Sequence, residues 1–167
     1  MKYTIELKWA ILFSLLSLLW ILGEKVVGLH DPNRYLTLQP YVTMFILIPN
    51  LLLFYWAIRE RRETTYSSNF GFQDGFKSGI IMTGFITILT PLVQYIISTV
   101  ITPDYFENVI HYVVEKNIMT LEKAEQLFNL ENYMIKSTLF SALFGLVASA
   151  IMAYLLKQNK HHAKANS

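Results

Sequence analysis

Residues 70–101 read FGFQDGFKSGIIMTGFITILTPLVQYIISTVI, and this stretch decides the fold. From Gly79 to Ile101 it contains no Asp, Glu, Lys or Arg. About 20 apolar residues in a helix cross the hydrocarbon core of a bilayer, so this run predicts a membrane span over 79–101. Its entry carries Gly71, Gly75 and Gly79, and Thr83 and Thr87 continue the same four-residue register. Small residues at that spacing let a second helix approach closely. Phe70, Phe72 and Phe76 place the start of the helix, 70–78, at headgroup level.

Working outward, three more apolar runs follow the same logic. Trp9 to Leu29 follows Lys2 and Lys8 and lacks a small-x-small cleavage site after Ile21-Leu22. It reads as a retained span that also serves as the insertion signal. Tyr41 to Ile58 is free of charge over its length, with Pro49-Asn50 near its centre. Proline removes a backbone donor and kinks a helix. Asn50 is then expected to bond a carbonyl freed by the kink, or a neighbouring helix. Ser137 to Leu156 repeats Ser137, Ser141, Gly145, Ser149 and Ala153 every fourth residue. That stripe drifts by only about 40° per step, so it forms a slowly winding groove on one face. A close contact between the third and fourth spans is the sharpest structural expectation; a pore lined by the three serines is its functional alternative.

The connections differ in character. HDPNRYLTLQP (30–40) is a polar linker with turn chemistry, in which His30-Asp31 reads as a solvated turn ahead of a metal ligand pair. Glu24 and Lys25 are assigned to the far interface, where long side chains reach headgroups and water. An intramembrane charge pair is the competing reading, although adjacent residues point apart on a helix. RERRETTYSSN (59–69) is basic and polar. After Thr102-Pro103-Asp104, an amphipathic helical pair is expected over 104–133. Phe106, Val109, Ile110 and Val113 share one side of its first helix. Thr120 is assigned as the N-cap of the second, with Leu121, Ala124, Leu127 and Phe128 on one face. His111 lies one turn from both Glu107 and Glu115, the spacing of a solvated pair as well as of a metal site. The basic tail 157–167 is expected to be disordered.

Together these runs predict one all-α, polytopic membrane domain. Four transmembrane helices lie at about 9–29, 41–58, 79–101 and 137–156, with an outer amphipathic pair between the third and fourth. The chain is 53% hydrophobic and 16% charged, against about 25% charged in a soluble domain. It has no cysteine, which excludes disulfide and thiolate chemistry. A formal charge of +2 argues against a nucleic-acid partner. Nine Lys and Arg flank the first span, the second-to-third connection and the tail, against five on the opposite side. The positive-inside rule then puts both termini in the cytoplasm.

FGFQDGFKSGI (Phe70–Ile80), VITPDYFENVI (Val100–Ile110) and the acidic helical connection before the fourth span resemble a known family. It is the group of bacterial four-helix membrane proteins called domain of unknown function 4199, found largely among Bacteroidetes. The resemblance covers nearly the whole chain and implies four spans in an inner membrane. It brings no activity, substrate or catalytic residue.

Three functions are compatible with these features. The first is a non-enzymatic bundle that packs with itself or a membrane partner in the lipid bilayer, resting on the two small-residue faces. The second is a small transporter or channel component with a midplane polar patch at Pro49-Asn50 and Pro91-Gln94. The third, an outer-face enzyme using His30, Asp31, Glu107, His111 and Glu115, is the weakest, because those groups are scattered over two loops. No catalytic, metal or cofactor residue is assigned.

Overall fold

The computed structural model describes residues 3–31, 37–65 and 69–158. Lys2, Arg34, His161-His162 and nearly all of the basic tail expected to be disordered therefore lie outside the described residues. Every described element is helical: α1 (Thr4–Val26), α2 (Gln39–Met44), α3 (Leu47–Thr65), α4 (Phe72–Ile96) with a π-helical turn at Ile97–Ile101, α5 (Tyr105–Glu115), α6 (Leu121–Leu127) and α7 (Leu130–Leu156). Among the described residues, four stretches are long and apolar enough to cross a membrane: Thr4–Val26, Gln39–Thr65, Phe72–Ile101 and Leu130–Leu156. One end of the bundle carries Tyr3, Thr65, Phe70 and Gln158; here it is the terminal end. The other carries the turn after α1, α2, α5 and α6; here it is the loop end.

The outward surface is apolar. Ile88 is 75% exposed, Leu143 65% and Leu19 65%, the pattern of side chains that face lipid. The core sits toward the terminal end, where Ala10, Phe54, Ile58, Met82, Ile86, Ala148 and Met152 are buried against one another. Nearer the middle, Phe54 meets Phe13 and Phe144 edge-on at 6.3 and 6.1 Å. Such aromatic pairs add about 1 kcal/mol each beyond their burial.

α4 and α7 lie against each other along most of their lengths. A Cβ on Gly79 would come within 2.6 Å of the Ser149 Cβ, and one on Gly145 within 2.5 Å of the Thr83 Cγ2. Gly75 meets Ala153 at 3.1 Å in the same sense. The missing side chains are what let the two backbones approach. Gly71 has a different place. It is the N-cap of α4, its N–H donating to Asp74 Oδ2 at 3.0 Å, and a Cβ there would meet no atom of α7.

Several boundaries move, each for a local reason. The second span breaks at Phe45–Ile46, one turn ahead of Pro49 rather than at it. The proline ring clashes with the carbonyl four residues earlier, so the chain restarts and Pro49 takes the tolerated first turn of α3. Tight bonds from Ile46 N–H to Thr43 O and from Ile48 N–H to Phe45 O bridge the break. α3 then runs on to Thr65, which makes the arginine-rich segment helical. α7 begins at Leu130 instead of Ser137, because the Asn129 side chain accepts from Asn132 N–H at 2.9 Å. Such a cap stabilises a helix by about 1 kcal/mol. It cuts α6 short at Leu127. Thr120 has the extended backbone of an N-cap but makes no side-chain cap bond. Of the expected packing faces, Val109, Val113 and Ala124 are buried, whereas Leu121 and Leu127 are exposed.

Candidate polar site at the loop end of the bundle

The turn that closes α1 builds the site. Gly28 has φ +81°, a conformation that suits glycine. Gly28 N–H donates to Lys25 O and Leu29 N–H to Glu24 O, which is the Schellman arrangement. The turn buries Leu29 and folds His30 back over the last turn of α1. Glu24 therefore faces inward and is only 3% exposed, while Lys25 is exposed. Glu24 does not reach outward to headgroups and water as the interface assignment expects.

Four side chains converge on the Glu24 carboxylate. Trp20 Nε1 donates to Oε1 at 2.7 Å from one turn earlier on α1. The Thr43 hydroxyl donates at 2.8 Å and Gln39 Nε2 at 3.4 Å, both from α2. His30 Nε2 lies at 3.3 Å. None of the four is a lysine or arginine. His30 is thus no solvated turn residue: it is packed on Tyr105 with ring centroids 5.3 Å apart, and its Nδ1 is buried without a hydrogen-bond partner. Tyr105 donates to Gln39 Oε1 at 3.3 Å. Burial raises the Tyr105 hydroxyl well above its ordinary range, so it stays a neutral donor.

Below this cluster lies a cavity of about 220 Å³ to which all four spans contribute. Its walls are mostly apolar, with Ser14 and Ser17 of α1, Thr43 and Asn50 of the second span, Thr90 and Gln94 of α4, and Ser137 and Ser141 of α7 as polar points. The two amides read from sequence as a midplane patch thus share one cavity. Gln94 Nε2 donates to Ser98 Oγ at 2.9 Å. Asn50 is 4% exposed and its Oδ1 has no partner, and among the described residues its side chain makes no bond to a freed carbonyl or a neighbouring helix. Most of the hydroxyls bond carbonyls of their own helix, as Ser14 does with Ala10 O and Ser17 with Phe13 O. Thr90 also reaches Ser141 Oγ at 3.2 Å. Phe13 and Phe144, backed by Phe54, floor the cavity toward the terminal end.

The small-residue stripe of α7 therefore serves two purposes. Gly145, Ser149 and Ala153 meet α4, Ser141 both meets Thr90 of α4 and lines the cavity, and Ser137 lines the cavity. Neither the packing face nor the serine pore expected from sequence describes the whole stripe.

At the terminal end a second buried glutamate closes the bundle. Glu6 is 1% exposed and accepts from Arg61 Nε and from Ser78 Oγ, each at 2.8 Å. Glu60 takes Lys8 and Trp9 Nε1, the latter at 2.7 Å. The remaining polar candidates lie elsewhere. His111 and Glu115 are 3.7 Å apart on an exposed face of α5, and Glu107 shares their shallow groove. Among the described residues, no three His, Cys, Asp or Glu side chains are grouped as a metal site.

Four apolar spans around an internal polar site define a multi-pass helical membrane protein. The chain belongs to the family described as "Protein of unknown function (DUF4199)", whose model matches residues 8–158. No curated protein and no solved structure matches it.

Proposed function

We propose that this is an inner-membrane protein with both termini in the cytoplasm, and that its bundle binds a small ligand in the cavity beneath Glu24. The observation that carries this reading is Asn50, a buried amide whose oxygen is left without a partner in a mostly apolar pocket. An unsatisfied buried acceptor costs about 1–3 kcal/mol, which a ligand donor recovers once the amide turns toward the cavity. Apolar walls with a few polar points are the usual chemistry of a small-molecule site. The ligand class is a largely apolar molecule with one hydrogen-bond donor. The aromatic floor and packed core favour binding, or carriage by a moving bundle, over an open channel. A bundle that associates through its small-residue faces has less support, because Gly75, Gly79, Gly145 and Ser149 meet within one chain.

Asn50→Leu tests the site. It is expected to leave the melting temperature unchanged or higher while removing any small molecule that native mass spectrometry detects released with the wild-type protein from nanodiscs. A less stable variant, with no bound molecule in the wild type, would reject the reading.

Orientation is tested separately. The chain has no cysteine, so a single cysteine introduced at exposed Glu122 reports its own side. It should react with a membrane-impermeant maleimide added outside intact spheroplasts; labelling only after lysis would reverse the topology.

A further inference from the structure

We propose that Glu24, held by Trp20, His30, Gln39 and Thr43, is a proton-binding site. Acidic side chains within membrane spans are costly to keep and commonly mark proton or substrate sites. Two glutamates on α1 are almost fully buried, and their surroundings differ in kind. Glu6 is paired with the Arg61 guanidinium. Among the described residues, Glu24 has N–H and O–H donors and an imidazole, and no Lys or Arg.

The hydrogen bonds around Glu24 have a second arrangement that accepts a proton without moving heavy atoms. With Glu24 ionised, the Thr43 hydroxyl donates to the carboxylate at 2.8 Å. The same hydroxyl lies 3.0 Å from the Gln39 backbone carbonyl. When a hydronium ion delivers its proton to a Glu24 oxygen and leaves as water, the new O–H donates to Thr43 Oγ, and the Thr43 hydroxyl turns to that carbonyl. The His30 imidazole lies 3.3 Å from the carboxylate, with its Nδ1 unpartnered. A metal cation fits poorly: N–H and O–H donors already point at the carboxylate, where a cation would need free oxygens. The other titratable groups facing the site are Tyr105, through Gln39, and behind it Tyr133, its ring 6.0 Å from that of Tyr105. Thr43 also lines the cavity, so the protonation state of Glu24 is felt at the cavity wall.

The test is infrared difference spectroscopy of the full-length protein in nanodiscs, titrated from about pH 8 downward for as long as the protein stays folded, a range that also takes in the charge change of imidazole. The carboxylic-acid C=O stretch reads the carboxyl itself, apart from His30 and from any ligand in the cavity. The wild type should gain that band as pH falls, and Glu24→Gln should lose it. A wild type without the band, or a Glu24→Gln protein that keeps all of it, overturns the proposal. Should Glu24→Gln fail to fold, Trp20→Phe and His30→Ala carry the test. Each removes a donor to the charged form, so each should protonate at roughly tenfold lower proton concentration, the worth of one such bond. An unmoved midpoint in both also overturns it.

Discussion

Gly145→Leu should take the α4–α7 pair apart, and Gly79→Leu should do the same from the other helix. Even a bare Cβ on Gly145 would lie 2.5 Å from Thr83 Cγ2 and 2.9 Å from its Cβ. On Gly79 the obstacle includes the Ser149 backbone, with its Cα at 3.0 Å. Backbone cannot rotate away as a flexible side chain can, so the helices must separate. Alanine in place of glycine gains about 1 kcal/mol of helix propensity. Overpacking a well-filled contact costs about 1–3 kcal/mol for modest insertions and more for a leucine. Steric cost therefore wins, and the expected loss is at least about 3 kcal/mol. Gly84 is the control: a Cβ added there would meet nothing within 4 Å, so Gly84→Ala should hold or slightly raise stability. Thermal unfolding of the purified variants in one detergent checks all three. Equal melting temperatures for Gly145→Leu, Gly79→Leu and wild type would show that the close contact is not what holds these helices.

Arg61→Ala should be nearly as damaging, by a different route. It strips Glu6 of the guanidinium that approaches both carboxylate oxygens, and leaves the buried carboxylate to the Ser78 hydroxyl. Removing one partner of a buried pair costs about 3–5 kcal/mol, because the other charge stays buried. Replacing both partners with apolar residues of similar size is often close to neutral. The double change Glu6→Met with Arg61→Met should thus be more stable than Arg61→Ala alone. Chemical denaturation of the two variants gives the comparison. A double variant as unstable as the single would mean that the pair is worth more than the desolvation it overcomes.

These two contacts are unequally legible in the sequence. The four-residue spacing of Gly75, Gly79, Gly145 and Ser149 is local, and close approach is its main physical use, so the helix pair can be read from the chain. The Glu6–Arg61 pair cannot, because 55 residues separate its members. Glu6 does carry a signal: with Ala10 and Phe13 it forms a buried stripe at helical spacing. The general cost of charge in lipid sends Glu24 to the interface in a reading of the sequence. The signal that points otherwise is Gly28, a C′ glycine that turns the chain back over the helix end and brings His30 with it. Asn129 is an available cap that moves the start of α7 by seven residues from the expected Ser137.

Sequence alone determined that this chain is helical, has four runs long and apolar enough to cross a membrane, and brings the third and fourth of them into close contact. Apolar run length and small-residue spacing are properties of consecutive residues, and the bilayer leaves a helix few alternatives. Tertiary structure alone decided where polarity goes inside the bundle. Asn50, Gln94, Ser137 and Ser141 come from three different spans and meet at one cavity. Glu24 turns inward because α2 supplies Thr43 and Gln39 and the Gly28 turn supplies His30. Hydrogen-bond satisfaction of a buried group depends on partners distant in sequence, and their arrival is set by how the helices pack.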